Sequence, residues 1–119
     1  MPAEEGFEPM SLEQAWVLLI GGDVGRIGLS MGAMPVIFPV HYAVEGGCIV
    51  VRAAAGSSIA SAAAGSVVAF AVDDYERQDS SGWSVLAVGR SEVVQDPGSQ
   101  ISIKPELVFG RRRKATSAY

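Results

Sequence analysis

The chain has 119 residues, enough for a single domain with its own hydrophobic core. Its formal net charge of −4 at pH 7 argues against a nucleic-acid-binding face, and its single cysteine excludes an internal disulfide framework and a cysteine-based zinc site. An acidic N-terminus and the lack of an apolar run of roughly 18 residues argue against a signal peptide and a membrane span. We therefore expect a cytoplasmic protein. The hydrophobic fraction of 49% predicts an apolar surface that is buried against a second copy.

The N-terminal region predicts a loose arm followed by one capped helix. Residues 1–10 mix Pro, Glu and Gly without periodicity, which is typical of a flexible arm. Ser11 and Gln14 have the spacing of a capping box, and apolar residues then recur at helical period until Gly21 and Gly22. The apolar stripe consists of Leu12, Ala15, Trp16, Leu19 and Ile20. We expect this stripe to pack across a sheet or the mouth of a barrel.

Short strand patterns separated by turn residues follow, as in an all-β barrel or sandwich. Six strands are predicted, at residues 24–30, 35–44, 48–52, 66–73, 83–94 and 100–109. Pro39 interrupts the second of these, which should have an irregular or unpaired edge there because proline donates no backbone hydrogen bond. Gly89 marks a bend in the fifth strand, and residues 95–99 predict a turn.

Residues 48–65 predict a strand, a tight turn and a short helix. Four β-favouring residues lead into Arg52, a turn with Gly56 follows, and Ser57 and Ser58 open an Ala-rich segment. A helix N-terminus presents unpaired N–H groups, so an anion such as phosphate would be held at these serines, with a charge-assisted bond from Arg52. The alternative is that Gly56 and Ser57 form only a turn and an N-cap.

The remaining polar residues assign no catalytic side chain. His41 is the only histidine, which excludes nucleophile systems that need a second one, and it either faces a ligand or closes a strand. Asp73 and Asp74 are adjacent and would point to opposite faces of a strand, which argues against a paired-carboxylate acid–base device. No metal-ligand spacing is present. Trp83 is expected either to pack at a dimer interface or to contact a cofactor there.

Five segments occur in an order and spacing that is fairly specific, although none of them is a strong motif alone. They are residues 39–42, 51–58, 68–73, 82–90 and 105–112, preceded by the capped helix and residues 24–30. Together they resemble the pyridoxamine 5′-phosphate oxidase-like flavin-binding split-barrel proteins. The resemblance implies a mainly β fold, a six-stranded antiparallel split barrel that forms a two-fold homodimer. The implied boundaries are an arm at 1–10, the barrel domain at 11–112 and a basic tail at 113–119.

The resemblance also implies that a flavin binds in a groove between the two subunits. Pro39, Val40, His41 and Tyr42 would run beside the isoalloxazine ring, with backbone groups meeting its polar edge. The group around the ribityl chain and the phosphate would be Arg52, Ala53, Gly56, Ser57 and Ser58. Trp83 and Ser84 would reach the cofactor held mainly by the other subunit. Such a site needs few catalytic side chains, because the flavin itself transfers the hydride.

The chain departs from that family at several of these positions. Many relatives carry Lys at the position of Ser58, Thr or Arg at Ser57, Thr at Ala53 and Asn at His41, and have a longer link at 95–99. The implied phosphate pocket has therefore lost positive charge, and a neutral hydrogen bond is roughly half as strong as a charged one. We predict an FMN- or deazaflavin-dependent oxidoreductase of small molecules. The alternative is a non-catalytic split-barrel dimer that binds cofactor weakly or not at all, as a flavin carrier or an interaction module.

Overall fold

The computed structural model describes residues 6–54, 56–94 and 99–115. Two helices and seven strands occur in these ranges. They are β1 (Phe7–Pro9), α1 (Leu12–Ile20), β2 (Val24–Met31), β3 (Met34–Glu45), β4 (Cys48–Arg52), α2 (Ser58–Ala63), β5 (Val67–Tyr75), β6 (Gly82–Val94) and β7 (Gln100–Arg113). Ala55, most of the expected turn at 95–99, and the outer parts of the expected arm and tail lie outside the described residues.

Six of the strands form the antiparallel barrel that was predicted. Their order is β7-β4-β3-β2-β5-β6, and β6 pairs with β7 again, which closes the barrel. Most of the barrel strands alternate in burial, as in β2, where Ile27 and Leu29 are buried while Arg26 and Ser30 are exposed. A single hydrophobic core fills the barrel. None of the helices in the described part of the chain is long and apolar enough to cross a membrane.

The seventh strand was not predicted. Within the expected arm, β1 pairs antiparallel with the end of β7, so that Phe7 lies opposite Arg113 and Pro9 opposite Arg111. The strand β7 continues four residues beyond its predicted end at residue 109 and reaches the first residue of the expected basic tail. A segment of three residues without apolar alternation carries no strand signal of its own. It forms a strand by pairing with residues about a hundred positions away in the sequence, and the local pattern does not show that pairing.

The helix α1 begins with the predicted capping box. The Ser11 hydroxyl accepts a hydrogen bond from the Gln14 N–H at 3.1 Å, and the Ser11 N–H donates to the Gln14 side chain at 3.3 Å. Ala15 and Leu19 are fully buried against the barrel. The predicted stripe is too wide, however, since Leu12 and Ile20 are each 59% exposed. Only the side of this nine-residue helix that carries Ala15 and Leu19 meets the core.

The barrel opens along one edge of β3, as predicted around Pro39. Residues 34–41 pair with β2 in unbroken register, whereas β4 covers only Tyr42–Glu45. The Tyr42 N–H donates to the Asp23 carbonyl at 2.9 Å. Because hydrogen-bonded and non-hydrogen-bonded residue pairs alternate in an antiparallel ladder, this bond shows which residues of β3 bond to β2. Even-numbered residues of β3 therefore bond to β2. Odd-numbered residues, among them Pro35 and Pro39, turn their backbone groups to the unpaired edge.

Gly89 marks a bulge in β6, which confirms the predicted bend. The register between β6 and β7 shifts between Val88 and Gly89. A Cβ at Gly89 would run into the Lys104 carbonyl on β7, so the close approach of the two strands requires glycine.

Candidate functional site

A pocket of about 210 Å³ lies on the outer face of the β3–β4 hairpin. His41, Ala43 and Glu45 share this face because side chains alternate along β3. Val50 and Arg52 face the same way from β4, and Gln100 joins them from β7, where it lies opposite Arg52. The full lining is Asp23, His41, Tyr42, Ala43, Glu45, Val50, Arg52 and Gln100. The arrangement is an apolar floor with polar and charged groups at its rim.

His41 lies beside a carboxylate at one end of this pocket. Its Nδ1 is 3.6 Å from Oδ1 of Asp23, and both side chains are mostly exposed. The backbone of Asp23 is fixed by the Tyr42 N–H, so the carboxylate stays next to β3. An exposed pair of this kind contributes little to the stability of the fold. It does contribute to the electrostatic environment of a ligand in the pocket.

Tyr42 borders the pocket but points into the barrel. Its ring is 7% exposed and packs edge-on against Phe70, with the ring centroids 4.7 Å apart. Its hydroxyl donates a hydrogen bond to the Leu19 carbonyl in the last turn of α1. Burial, and then the negative charge of Asp23, raise the pKa of Tyr42 above its ordinary value of 10.0. The phenol is therefore a neutral structural group.

Residues 39–42, the segment that the resemblance placed beside the isoalloxazine ring, point their side chains alternately to the two faces of β3. Pro39 is exposed on the same outer face as His41, whereas Val40 packs against the core. The side chains of Pro39 and His41 face outward, and those of Val40 and Tyr42 face the interior of the barrel. The backbone N–H and C=O groups of the odd-numbered residues point away from β2, towards the unpaired edge of β3.

Gly56 and Ser57 form the turn and the N-cap that were predicted after β4. Gly56 has a φ of 72°, a conformation that favours glycine, and the Ser57 hydroxyl accepts from the Ala60 N–H at 3.2 Å as the N-cap of α2. Ser58 is exposed as the first residue of this six-residue helix. Ala53 is half-buried against the core, and its N–H donates to the Ser99 carbonyl at 3.3 Å. None of these four residues lines the pocket.

Trp83 and Ser84 lie at the opposite end of the barrel from Arg52. Arg52 pairs with Gln100 at the start of β7, whereas Trp83 and Ser84 pair with Arg112 and Arg111 near its end. Eleven residues of extended strand separate Gln100 from Arg111, on the order of 35 Å along β7. One chain therefore does not bring Trp83 to the pocket.

Five pocket residues were not predicted: Asp23, Ala43, Glu45, Val50 and Gln100. Strand alternation from His41 leads to Ala43 and Glu45, and alternation from Arg52 leads to Val50, so a signal for these three was present in the sequence. No sequence signal indicates Gln100, because its position depends on the pairing of β4 with β7. No group of three metal-ligating side chains occurs among the described residues.

Asp73 and Asp74 do not form an acid–base pair. Both lie within β5, which runs two residues beyond its predicted end. Asp73 contacts the Arg26 guanidinium at 3.3 Å, while Asp74 lies opposite Trp83 in the register with β6. Adjacent strand residues face opposite ways, as expected.

The chain matches a known protein family over most of its length. A family model described as pyridoxamine 5′-phosphate oxidase matches residues 11–117. The chain belongs to the pyridoxamine 5′-phosphate oxidase family. The split barrel that the resemblance of residues 11–112 implied is the fold of this chain.

Relatives of this pyridoxamine 5′-phosphate oxidase family member include an uncharacterized protein of Mycobacterium tuberculosis, Rv0080. It is 33% identical, over 88% of this chain and 84% of that protein. The FAD binding protein from Mycobacterium smegmatis has 29% identity and a TM-score of 0.80, over 91% of this chain and 99% of its own. A FAD-binding protein from Mesorhizobium loti shares the fold, with 21% identity and a TM-score of 0.79, over 91% and 97% of the two chains.

The residues of the pocket fit part of a flavin. Small-molecule sites typically enclose about 300–1,000 Å³, and the pocket of one chain is smaller, at about 210 Å³. Arg52 suits an anionic group, and the floor of Ala43 and Val50 suits an apolar surface. A site that encloses a whole flavin therefore needs residues in addition to those that line this pocket.

Proposed function

We propose that this protein is a flavin-dependent oxidoreductase whose cofactor lies along the open edge of β3, over the pocket at His41 and Arg52. The observation that carries the proposal is the outward backbone edge of β3 beside a pocket with one guanidinium. Pro35 and Pro39 donate nothing there, so the N–H donors are those of Ile37 and His41, among the carbonyls of the odd-numbered residues. A planar heterocycle with both donors and acceptors on its edge complements such a backbone.

When bound, the flavin supplies hydride transfer, and the chain supplies binding, orientation and electrostatics. Arg52 holds the anionic group at the ribityl end by a charge-assisted hydrogen bond. His41 bounds the ring side of the same pocket, and Gln100 lies beside Arg52. The FAD-binding relative with 29% identity supports a flavin in this family branch.

The proposed active form is a homodimer. Directly paired residues form an apolar row across the outer face of five strands: Ile37, Gly28, Ala69, Val88 and Leu107. Ile37 is 70% exposed and Leu107 is 52% exposed at the two ends of this row. An exposed apolar row on the outer surface of the barrel favours burial against a second copy through a two-fold axis. We name these five residues the outer apolar row.

A second copy would also supply the missing wall of the site. His41 shares the outer face of β3 with Ile37, so a subunit packed on the outer apolar row reaches the pocket rim. The aromatic wall from the other subunit would be Trp83, with Ser84 beside it. This arrangement explains why Arg52 and Trp83 of one chain lie at opposite ends of the barrel.

The alternative function, a non-catalytic flavin carrier or interaction module, is favoured by one observation. Among the described residues that line the pocket, Arg52 alone is basic, and two carboxylates line it as well. A site with so little positive charge holds a phosphate less firmly than one with a lysine.

Titration of the purified protein with FMN, FAD and a deazaflavin, together with sedimentation, tests the proposal. We expect micromolar or tighter binding of a flavin, one per subunit, to a dimer. A well-folded dimer that binds none of the three favours the non-catalytic alternative. A monomer that binds flavin tightly contradicts the shared site.

Mixed dimers test the shared site directly. Arg52→Gln and Trp83→Leu homodimers should each lose flavin affinity, because every site in them lacks one wall. A dimer with one copy of each variant regains a single intact site and should bind one flavin per dimer with the wild-type affinity. If both walls come from the same chain, the mixed dimer has no intact site and shows no recovery.

A further inference from the structure

His41 offers two groups to a ligand at the open edge of β3, a backbone donor and an imidazole. Its N–H lies on the unpaired edge, where Pro35 and Pro39 donate nothing. Its side chain lies on the outer face, lines the pocket and is 76% exposed. A ligand edge that accepts a hydrogen bond from the backbone of His41 therefore lies next to the imidazole of the same residue.

The loop before β2 holds a carboxylate against this imidazole. Nδ1 of His41 is 3.6 Å from Oδ1 of Asp23, so Nε2 is the ring nitrogen that does not face the carboxylate. The Asp23 carbonyl accepts the Tyr42 N–H at 2.9 Å, and a Cβ at Gly22 would run into the Tyr42 hydroxyl, so this loop is packed against β3. A carboxylate at such a distance stabilises a positive charge on an imidazole.

The other residues around His41 do not change their charge near neutral pH. Val24, directly opposite on β2, and Gln100 on β7 are uncharged. Arg52 on β4 is positive and Glu45 on β3 is negative between pH 5 and 8. Imidazole is the side chain that gains or loses a proton in this range. His41 is therefore the residue of the described lining that can switch the charge of the pocket.

We propose that His41, oriented by Asp23, tunes the reduction potential of the bound flavin. The inference rests on the proposed function, because it concerns the same pocket. Two-electron reduction with uptake of one proton adds one negative charge to a flavin, and a positive charge beside the ring stabilises that reduced form. Protonated His41 therefore raises the potential. The effect disappears as pH rises and the imidazole becomes neutral.

Reduction potentials between pH 5.5 and 8.5 test the inference, with the protein loaded with FMN or, where it binds more tightly, with FAD. In His41→Asn, the preference for reduced over oxidised flavin should fall about tenfold at pH 5.5, which lowers the potential by about 30 mV. The difference from the wild type should vanish at pH 8.5. Asn is polar and keeps the backbone N–H, so the substitution removes the ionisable group and leaves the backbone donor in place.

NMR of the imidazole gives a second, independent measurement, because His41 is the only histidine of the chain. Coupling between two sites is reciprocal, so reduction of the flavin should move the titration of His41 about one unit to higher pH. In Asp23→Asn, the titration should move to lower pH in both redox states. Glu45→Gln removes a pocket carboxylate that is not paired with His41 and is the matched control, with a smaller shift.

The outcomes separate the inference from the proposed function. A protein that binds no flavin overturns both. Flavin that binds with the same potential in the wild type and His41→Asn at every pH overturns the inference alone, and so does a titration of His41 that is identical in the oxidised and reduced complexes. Should His41→Asn lose its flavin, the titration of the wild type in the two redox states decides the question.

Discussion

The hydroxyl of Tyr42 donates a hydrogen bond to the carbonyl oxygen of Leu19, which ties β3 to the last turn of α1. A Cβ at Gly22 would run into this hydroxyl, so the loop between α1 and β2 packs tightly over it. Asp23 follows Gly22 and carries a pocket carboxylate. The core contact of Tyr42 therefore fixes the loop that shapes one end of the candidate site.

Replacement of Tyr42 by Phe should lower the free energy of unfolding by about 1 kcal/mol, because the Leu19 carbonyl loses one of its two donors and keeps only the Gly22 N–H at 3.4 Å. The ring itself keeps its contact with Phe70. Urea denaturation followed by circular dichroism measures the change, with Tyr75→Phe at an exposed position as the matched control. Equal stability of Tyr42→Phe and the wild type would show that water replaces the hydroxyl without cost.

Alkaline pH should destabilise the wild type through the same side chain. The pKa of Tyr42 is raised in the folded state, so the folded state holds the proton more firmly than the unfolded state. This contribution is fully present below the unfolded pKa of about 10 and is lost as pH rises through the higher folded value. Between pH 8 and 11, the free energy of unfolding should fall more steeply with pH for the wild type than for Tyr42→Phe. Parallel curves would contradict this linkage.

Gly25 and Gly28 lie in the same strand and differ in the space above them. A Cβ at Gly25 would run into the Phe70 ring, whereas the nearest atom to a Cβ at Gly28 is 3.7 Å away. Gly25→Ala should cost about 1–3 kcal/mol of stability through overpacking. Gly28→Ala meets no such contact within the subunit and should cost less than Gly25→Ala, although Gly28 belongs to the outer apolar row. Thermal unfolding of both variants gives the comparison, and similar melting temperatures would argue against tight packing at Gly25.

Ile37→Lys should convert a dimer to monomers, because it places a charge in the outer apolar row. Val17→Lys is the matched control, since Val17 is 64% exposed on α1, away from that row. Sedimentation velocity should show a monomer for the first variant and the wild-type species for the second. The reverse pattern would move the dimer interface to α1.

Ser58→Lys should restore a positive charge near the ribityl end of the flavin and tighten FMN binding about tenfold relative to riboflavin. Ser61→Lys adds the same charge one turn further along α2, at another exposed position, and should have a smaller effect. Fluorescence titration of both variants with FMN measures the difference. Equal gains in the two would mean that only net charge matters and that the phosphate lies elsewhere.

Local sequence signals were sufficient for the elements of the barrel. The capping box at Ser11, the open edge at Pro39 and the bulge at Gly89 were all predicted from residues close to one another in the chain. These features depend on backbone chemistry within a few residues, which the sequence states directly. The strand bounds agree within two residues except at the end of β7.

The environment of the site was predicted only in part. Arg52 and His41 do line one pocket, but Val40 and Tyr42 face the core, and Ser57 serves as an N-cap. Alternation along a strand tells which residues share a face and leaves open which strand lies beside them. The acidic residues of the pocket come from a loop and a strand end that only the folded chain brings together.

The sequence by itself therefore determined the order of the two helices and the six barrel strands, the N-caps and the family, because these follow from short-range patterns and from motif order along the chain. The tertiary structure alone decided that β1 pairs with the end of β7, that Gln100 joins Arg52, and that Trp83 lies at the far end of the barrel. Each of these depends on the register between strands that are distant in sequence. Register is set by the packing of the whole core, which no local segment encodes.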